Sequence, residues 1–363
     1  MKVALVYDRV NKIGGAERVL LSLHELFPDA PLYTAVYDAK GAAWANVFEV
    51  KPTWMDSVPF ASTNHEFFPW LTPFAFESID FDGFDLVISV TSAEAKSILT
   101  KPKTIHICYC LTPTRYLWSG FDLYTKGTGV SSFFLKLFGP MLKRWDQVAS
   151  SRPDHYIAIS NRVKQRIKTY YNRLTDAVIY PPVRTDFFVP SPSSRGDYYL
   201  YVSRLVPYKR PDVIIDAFNT NGYPLVVVGV GSEKNNLMER AKGNITFAGS
   251  TVSDTELLNY YQHCRAFVFA GDEDFGIVAA EAQSCGKPVI AYRKSGMAEI
   301  VVDGKTGILF DKQTASSLCA AVQKERTMTF DSAACRLQGV RFSENRFKEE
   351  FQTFIKTMYN SLL

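Results

Sequence analysis

Ala266–Tyr292 reads AFVFAGDEDFGIVAAEAQSCGKPVIAY. AFVFA (Ala266–Ala270) is a short continuous apolar run, the pattern of a strand buried on both faces. An acidic loop follows, Gly271-Asp272-Glu273-Asp274. Phe275-Gly276 turns it into an apolar helix, Ile277–Cys285, which Gly286 stops, with Pro288 beyond. A second apolar run, Pro288–Tyr292, then begins. Strand, helix and strand in this order predict a parallel sheet covered on both faces.

The same alternation extends outward through the chain. Tyr198–Ser203, Leu225–Val230 and Ile245–Ala248 read as strands, with helices at Asp212–Phe218 and Asp254–His263. In the first half Lys2–Tyr7, Leu86–Val90, Thr104–Tyr109 and His155–Ile159 read as strands. Helices are expected over Ala16–Leu26 and from Val163. Between the halves Tyr180–Arg195 is dense in Pro and Ser and reads as a linker. At 363 residues the chain suits two doubly wound domains. Ligands of such sheets bind at the carboxyl ends of the strands, so a ligand is expected in a cleft between the domains.

Composition narrows the function. With 47% hydrophobic residues the chain can fill two cores. The charge balance, 41 Lys and Arg against 37 Asp and Glu, gives +4 and excludes a dedicated nucleic-acid binder. It permits a phosphorylated ligand or an anionic membrane surface. Cys108, Cys110, Cys264, Cys285, Cys319 and Cys335 sit in apolar contexts, as reduced core thiols do. Cys108 and Cys110 form C-x-C, which is neither a redox nor a zinc pair. The N-terminus turns charged at Asp8, unlike a signal peptide, and no apolar run reaches the roughly 18 residues of a membrane span. The expectation is a cytoplasmic protein, touching the inner face of the cell membrane at most.

Three constellations carry chemistry. In Val202–Pro211 (VSRLVPYKRP), Arg204 leaves a strand end, and Lys209 precedes a helix opened by Pro211. Two cations beside a helix N-terminus form a diphosphate clamp, Arg as a fork and Lys as a point charge. In the acidic loop and its helix, Glu281 is flanked by Ala280 and Ala282 and is costly to bury unless something bonds it. The two adjacent hydroxyls of a ribose would do so. Dipole effects explain Asp272, Glu273 and Asp274 but not Glu281. Third, Gly14-Gly15-Ala16-Glu17 opens the first helix, where glycines allow an anion close to the backbone. Gly229-Val230-Gly231 looks like half of a dinucleotide fingerprint, without the rest.

Together these residues resemble glycosyltransferase family 4. Glu273 and Glu281, with seven residues between, match its paired glutamates. Arg204 with Lys209 match its cationic motif, and Gly14 with Gly15 its N-terminal glycine loop. EDFGIVAAEAQSCGKPVIAY, ICYCLTPTRYLW (Ile107–Trp118) and YPPV (Tyr180–Val183) resemble bacterial mannosyltransferases of surface-polysaccharide (O-antigen and lipopolysaccharide) assembly. The resemblance implies an α/β GT-B fold, two Rossmann-like doubly wound domains facing each other across a cleft. Residues 1–185 would form the acceptor domain, with the C-terminal helix 345–363 packing back on it, and 186–344 the donor domain.

The implied activity is retaining, metal-independent transfer of a hexose, mannose from GDP-mannose, to a glycan or lipid-linked glycan acceptor, with no cofactor. Arg204 and Lys209 would stabilise the leaving diphosphate and Glu273 would hold the donor sugar. Glu281 would hold ribose, Phe275, Gly276, Ile277 and Val278 would line the donor, and backbone around Gly249 and Val252 would meet the base. Gly14, Gly15 and Glu17 would form an acceptor or phosphate loop. Neither Asp80-Phe81-Asp82 nor Asp272-Glu273-Asp274 reads as a metal site. Alternatives are a non-catalytic nucleotide-sugar binder, a sugar-nucleotide epimerase and an NAD oxidoreductase, the last disfavoured by the missing fingerprint.

One position departs from the pattern. The subgroup commonly has a histidine where this chain has Leu111, beside Thr112, near the sixth carbon of the donor sugar. A leucine there suits the methyl group of a 6-deoxyhexose such as rhamnose or fucose. Finally, Ser131–Trp145 (SSFFLKLFGPMLKRW) combines a broad apolar surface with Lys136, Lys143 and Arg144. It reads either as core packing or as a membrane-docking piece, and Gly139-Pro140 is expected to break it into two short helices.

Overall fold

Strands β1 (Val3–Tyr7), β2 (Leu32–Thr34), β3 (Val50–Pro52), β4 (Leu86–Thr91), β5 (Ile105–Cys110), β6 (His155–Ala158) and β7 (Ala177–Val178) form one sheet. Their order is β3-β2-β1-β4-β5-β6-β7, and every pairing is parallel. This is a computed structural model, and it describes residues 1–12, 14–59, 70–126, 130–191, 196–249 and 252–360. β1 and β4 are buried at every position, as the continuous apolar runs require. The sheet belongs to a unit of Met1–Tyr180 with Lys348–Leu363.

The second unit, Pro181–Phe347, is built on β8 (Tyr199–Val202), β9 (Leu225–Val228), β10 (Ile245–Phe247), β11 (Ala266–Phe269), β12 (Val289–Tyr292) and β13 (Gly307–Phe310). The order is β10-β9-β8-β11-β12-β13, again all parallel. Local chemistry sets the helices between the strands. Ser253 and Glu256 cap Asp254–His263 reciprocally. Pro211 opens Pro211–Asn221, and Gly222 at φ 73° closes it. In the C-terminal helix Glu344–Asn360, the part from Lys348 on belongs to the first unit. There Phe351 lies 6.1 Å from the Tyr109 ring, and Lys348 pairs with Glu25. Residues 361–363 of that expected helix lie outside the described ones.

Two expectations are corrected. The segment from Tyr180 is not a free linker throughout. Val183 bridges to Ser343, Phe188 is buried 5.6 Å from the Tyr261 ring, and Arg336 donates to the Thr185 and Phe188 carbonyls. Its apolar side chains bind it to the second unit, which begins at Pro181; residues 192–195 lie outside the described ones. Nor does Gly139-Pro140 break its helix, which runs unbroken over Val130–Ala149. An interior proline costs about 3 kcal/mol. Tertiary packing offsets it: Leu142, Asp146 and Ala149 are buried. At Gly139 a Cβ would lie 2.8 Å from the Phe121 ring, so the glycine serves close packing.

Candidate functional site

The chain leaves β8 through Ser203, Arg204 and Leu205. Gly229 and Gly231 hold this segment in place. A Cβ on Gly229 would lie 1.8 Å from the Ser203 carbonyl oxygen, and one on Gly231 2.2 Å from that of Leu205. The Leu205 N–H donates to the Val230 carbonyl at 2.8 Å. The half-fingerprint is thus a close approach of backbone to backbone. Arg204 is exposed and donates to the Tyr208 hydroxyl at 2.5 Å. A 3-10 turn over Pro207–Lys209 then delivers Lys209 to the start of the helix Pro211–Asn221.

The acidic loop after β11 reaches the same place. Lys209 forms an ion pair with Glu273, and each side chain is 14% exposed. Gly271 permits the approach, because a Cβ there would stand 2.8 Å from the Lys209 carbonyl oxygen. Ser295 accepts from the Glu273 N–H at 3.1 Å, and the Gly296 N–H donates to the Glu273 carbonyl at 2.8 Å. Gly276 adopts φ 100° as it starts Ile277–Ser284; a Cβ there would clash with Met297. Phe275 packs on Phe342, while Ile277 and Val278 are half-buried.

Glu281 is buried in that helix, and Tyr261 donates to its Oε2 at 2.9 Å. This bond answers the cost of burying a carboxylate among alanines. Tyr261 was not legible locally, since it stands 20 residues away on another helix. Gly249 is exposed and Val252 half-buried; residues 250 and 251 of the expected base loop lie outside the described ones.

In the first unit Gly14 caps Gly15–Leu26. The next feature of that helix is a buried acid. Tyr7 donates to Glu17 Oε1 at 2.7 Å, and burial raises the pKa of Glu17. Tyr7 is pushed well above its ordinary value by burial and then by Glu17. A Cβ on Gly14 would stand 3.1 Å from Glu17 Oε2, so this glycine makes room for the carboxyl. Leu111 is half-buried just after β5. Thr112 beside it is buried, and its hydroxyl has no hydrogen-bond partner among the described residues.

A polar network at these strand ends escaped the sequence reading. Asp8 accepts from the Thr91 hydroxyl and from the Ser92 and Ala95 N–H groups at 2.7–2.8 Å. Arg9 pairs with Glu94 at 2.9 Å, and Tyr116 also donates to Glu94. Burial raises the Glu94 pKa against the pull of Arg9. Burial opposes the Arg9 charge, but Glu94 and Asp8 outweigh it and raise the Arg9 pKa. Lys96 pairs with Asp146 at 2.6 Å, both buried. The second unit thus presents cations, a carboxylate and a helix start, able to take an anionic diphosphate with its attached hydroxyls. The first presents charges that neutralise one another.

Residues 183–325 match the family model described as glycosyl transferases group 1. An uncharacterized glycosyltransferase of Methanocaldococcus jannaschii is 31% identical over 178 residues, 47% of this chain and 49% of that protein. A GDP-mannose-dependent alpha-(1-6)-phosphatidylinositol monomannoside mannosyltransferase of Mycobacterium tuberculosis is 30% identical over 196 residues, 45% of this chain and 50% of that one. The D-rhamnosyltransferase WbpZ of Pseudomonas aeruginosa is 28% identical over 192 residues, 48% and 49% of the two chains. The chain thus spans about half the length of the curated relatives it matches. Among solved structures, Anabaena HepE in complex with UDP-glucose superposes with a TM-score of 0.72 at 17% identity, covering 98% of this chain and 100% of that one. The fold is α/β of the GT-B class, two Rossmann-like units on parallel sheets.

Proposed function

We propose that the protein is a retaining, metal-independent glycosyltransferase that moves mannose from GDP-mannose to a glycan acceptor, lipid-linked, in surface-polysaccharide synthesis. The observation that carries this reading is the pairing of Lys209 with Glu273 at neighbouring strand ends, with Arg204 on the Tyr208 hydroxyl just ahead of Lys209, inside the segment that matches the group 1 family. The mannosyltransferase relative supports the choice of donor. In the reaction the bond from the sugar's anomeric carbon to the diphosphate breaks, and a bond to the acceptor oxygen forms on the same face. The acceptor's proton passes to a diphosphate oxygen, so no protein base is needed. Arg204 and Lys209 stabilise the charge that develops on the diphosphate. Lys209 is already oriented by Glu273, which exchanges this ion pair for the hydroxyls of the donor sugar. Glu281, steadied by Tyr261, holds the ribose.

A second reading, transfer of a 6-deoxyhexose, is favoured by Leu111. Its side chain offers no partner to a 6-hydroxyl, and burying one unpaired costs about 1–3 kcal/mol. The rhamnosyltransferase relative supports it. One experiment tests both readings: a thermal-shift panel of GDP-, UDP- and TDP-sugars, then turnover of the donors that bind. GDP-mannose should raise the melting temperature, and Arg204→Ala or Lys209→Ala should lower turnover about a hundredfold. Wild-type turnover in both variants refutes the clamp. A preference for 6-deoxy donors of about 10–200-fold, reduced in Leu111→His, selects the second reading.

A further inference from the structure

The helix Val130–Ala149 has two faces of different kinds. Gly139, Leu142, Asp146 and Ala149 are buried on one. Phe133, Leu137 and Met141 each leave more than half of their surface exposed, and Phe134 37%. At 3.6 residues per turn these four fall within an arc of about 100°, well away from the buried face. The patch continues past the helix to the Trp70 ring, 5.8 Å from that of Phe134. A contiguous patch of large apolar side chains marks an interaction surface.

Charge identifies the occupant. The only acid in the helix, Asp146, is buried and paired with Lys96. Lys136 and Arg144 are exposed, and Lys143 lies over the Phe121 ring at 3.6 Å. The outward face therefore pairs aromatic and aliphatic side chains with positive charge alone. A second copy of this face would set cation against cation. A lipid surface with anionic headgroups satisfies both halves. Among the described residues no helix is long and apolar enough to cross a membrane, so the contact is peripheral.

We infer that this face docks the protein on an anionic phospholipid surface, with the helix lying in the interface and Phe133, Phe134, Leu137 and Met141 inserted among the acyl chains. The inference goes beyond sugar transfer, and the vesicle binding that tests it needs no donor. Flotation is measured with vesicles of pure phosphatidylcholine and with vesicles containing 30% phosphatidylglycerol. The protein should float with the anionic vesicles, less so as salt is raised. Phe133→Asp with Leu137→Asp should weaken partitioning at least about tenfold. Lys136→Glu with Arg144→Glu should weaken it by roughly fivefold per charge removed. An unaltered thermal shift with GDP-mannose, or unaltered melting where no nucleotide binds, shows that the variants are folded. The inference is overturned if the wild type stays with the unbound protein, if it binds neutral vesicles equally, or if the aspartate variant floats as well as the wild type. It is also overturned if the wild type is a dimer that ignores vesicles and the variant a monomer.

Discussion

Replacing Lys96 with Met should destabilise the first unit by about 3–5 kcal/mol. The Lys96 side chain is 1% exposed, and that of Asp146 is 0%. Lys96 Nζ also donates to the Ala93 carbonyl and to the Thr114 hydroxyl at 3.0 Å. Asp146 accepts from the Thr114 hydroxyl and from Trp118 Nε1, each at 2.7 Å. The substitution keeps the volume but leaves a buried carboxylate with two neutral donors. Breaking a buried pair on one side costs this much because the other charge remains uncompensated. For a unit of about 200 residues, each kcal/mol lowers the melting temperature by roughly 2–4 °C, giving about 6–20 °C in all. The assay is intrinsic fluorescence. Trp44, Trp54, Trp70, Trp118 and Trp145 are the chain's only tryptophans, so the signal follows the first unit alone. The double variant Lys96→Met with Asp146→Leu removes both charges and should lose less than the single one, because the Thr114 hydroxyl still reaches the Ala93 carbonyl at 3.1 Å and only the Trp118 Nε1–H loses its acceptor. A loss under about 1 kcal/mol in the single variant, or a double variant worse than the single, would show that the pair is not what anchors the long helix.

Two further predictions concern the carboxylates and a histidine. Glu281→Ala should weaken the bare nucleoside diphosphate and the sugar donor alike, by about 10–100-fold, whereas Glu273→Ala should spare the bare nucleotide; calorimetry giving equal losses with the bare nucleotide would remove the division of roles. His106 is buried, bonded to Ser89 at 2.7 Å, and burial lowers its pKa from 6.5 to about 3. The unfolded chain therefore takes up a proton below pH 6.5 that the folded one refuses. This group's contribution is complete above pH 6.5 and declines from there to about pH 3, by up to about 1.4 kcal/mol per unit. Between pH 7 and pH 5 urea unfolding of the wild type should lose roughly 2 kcal/mol more than that of His106→Gln, and parallel profiles would count against it.

The strands were legible where they are long and wholly apolar, because burial on both faces leaves no polar alternation to confuse with a surface strand. β2 and β3, three residues each, were not, nor were the two-residue β7 and the four-residue β13, and Lys51 and Pro52 give β3 no apolar run at all. The cations of the candidate site could be read because Arg204 and Lys209 flank a strand end and a proline-opened helix, both local signals. The contact of Lys209 with Glu273, 64 residues further on, could not. Gly229 and Gly231 are ambiguous for a related reason: a glycine that admits a phosphate and one that admits a carbonyl look alike in sequence. Gly139-Pro140 misled because the cost of a proline is local, while the packing that offsets it comes from Phe121, Thr114 and Lys96. Arg9, Glu94, Lys96 and Asp146 were hidden most deeply. A charged residue reads as surface until its partner is known, and these partners stand 85 and 50 residues apart.

Those hidden charges also set the strand ends of the two units apart. A parallel sheet gathers all its carboxyl ends, and the helix starts that follow them, along one edge, so each unit concentrates polar groups there. In the first unit two cations are spent internally, Arg9 on Glu94 and Lys96 on Asp146, while Lys12 is exposed beside the first helix start. The acid nearest the first helix start, Glu17, is held by a phenol, and burial favours its protonated form. In the second unit Arg204 is exposed and bonded to a phenol, and Lys209 stands in an ion pair that an arriving diphosphate can exchange for a stronger one. The two edges therefore differ in how readily their cations can change partners: Lys96 is sealed with Asp146 inside the first unit, whereas Arg204 is exposed and Lys209 keeps some exposure in the second.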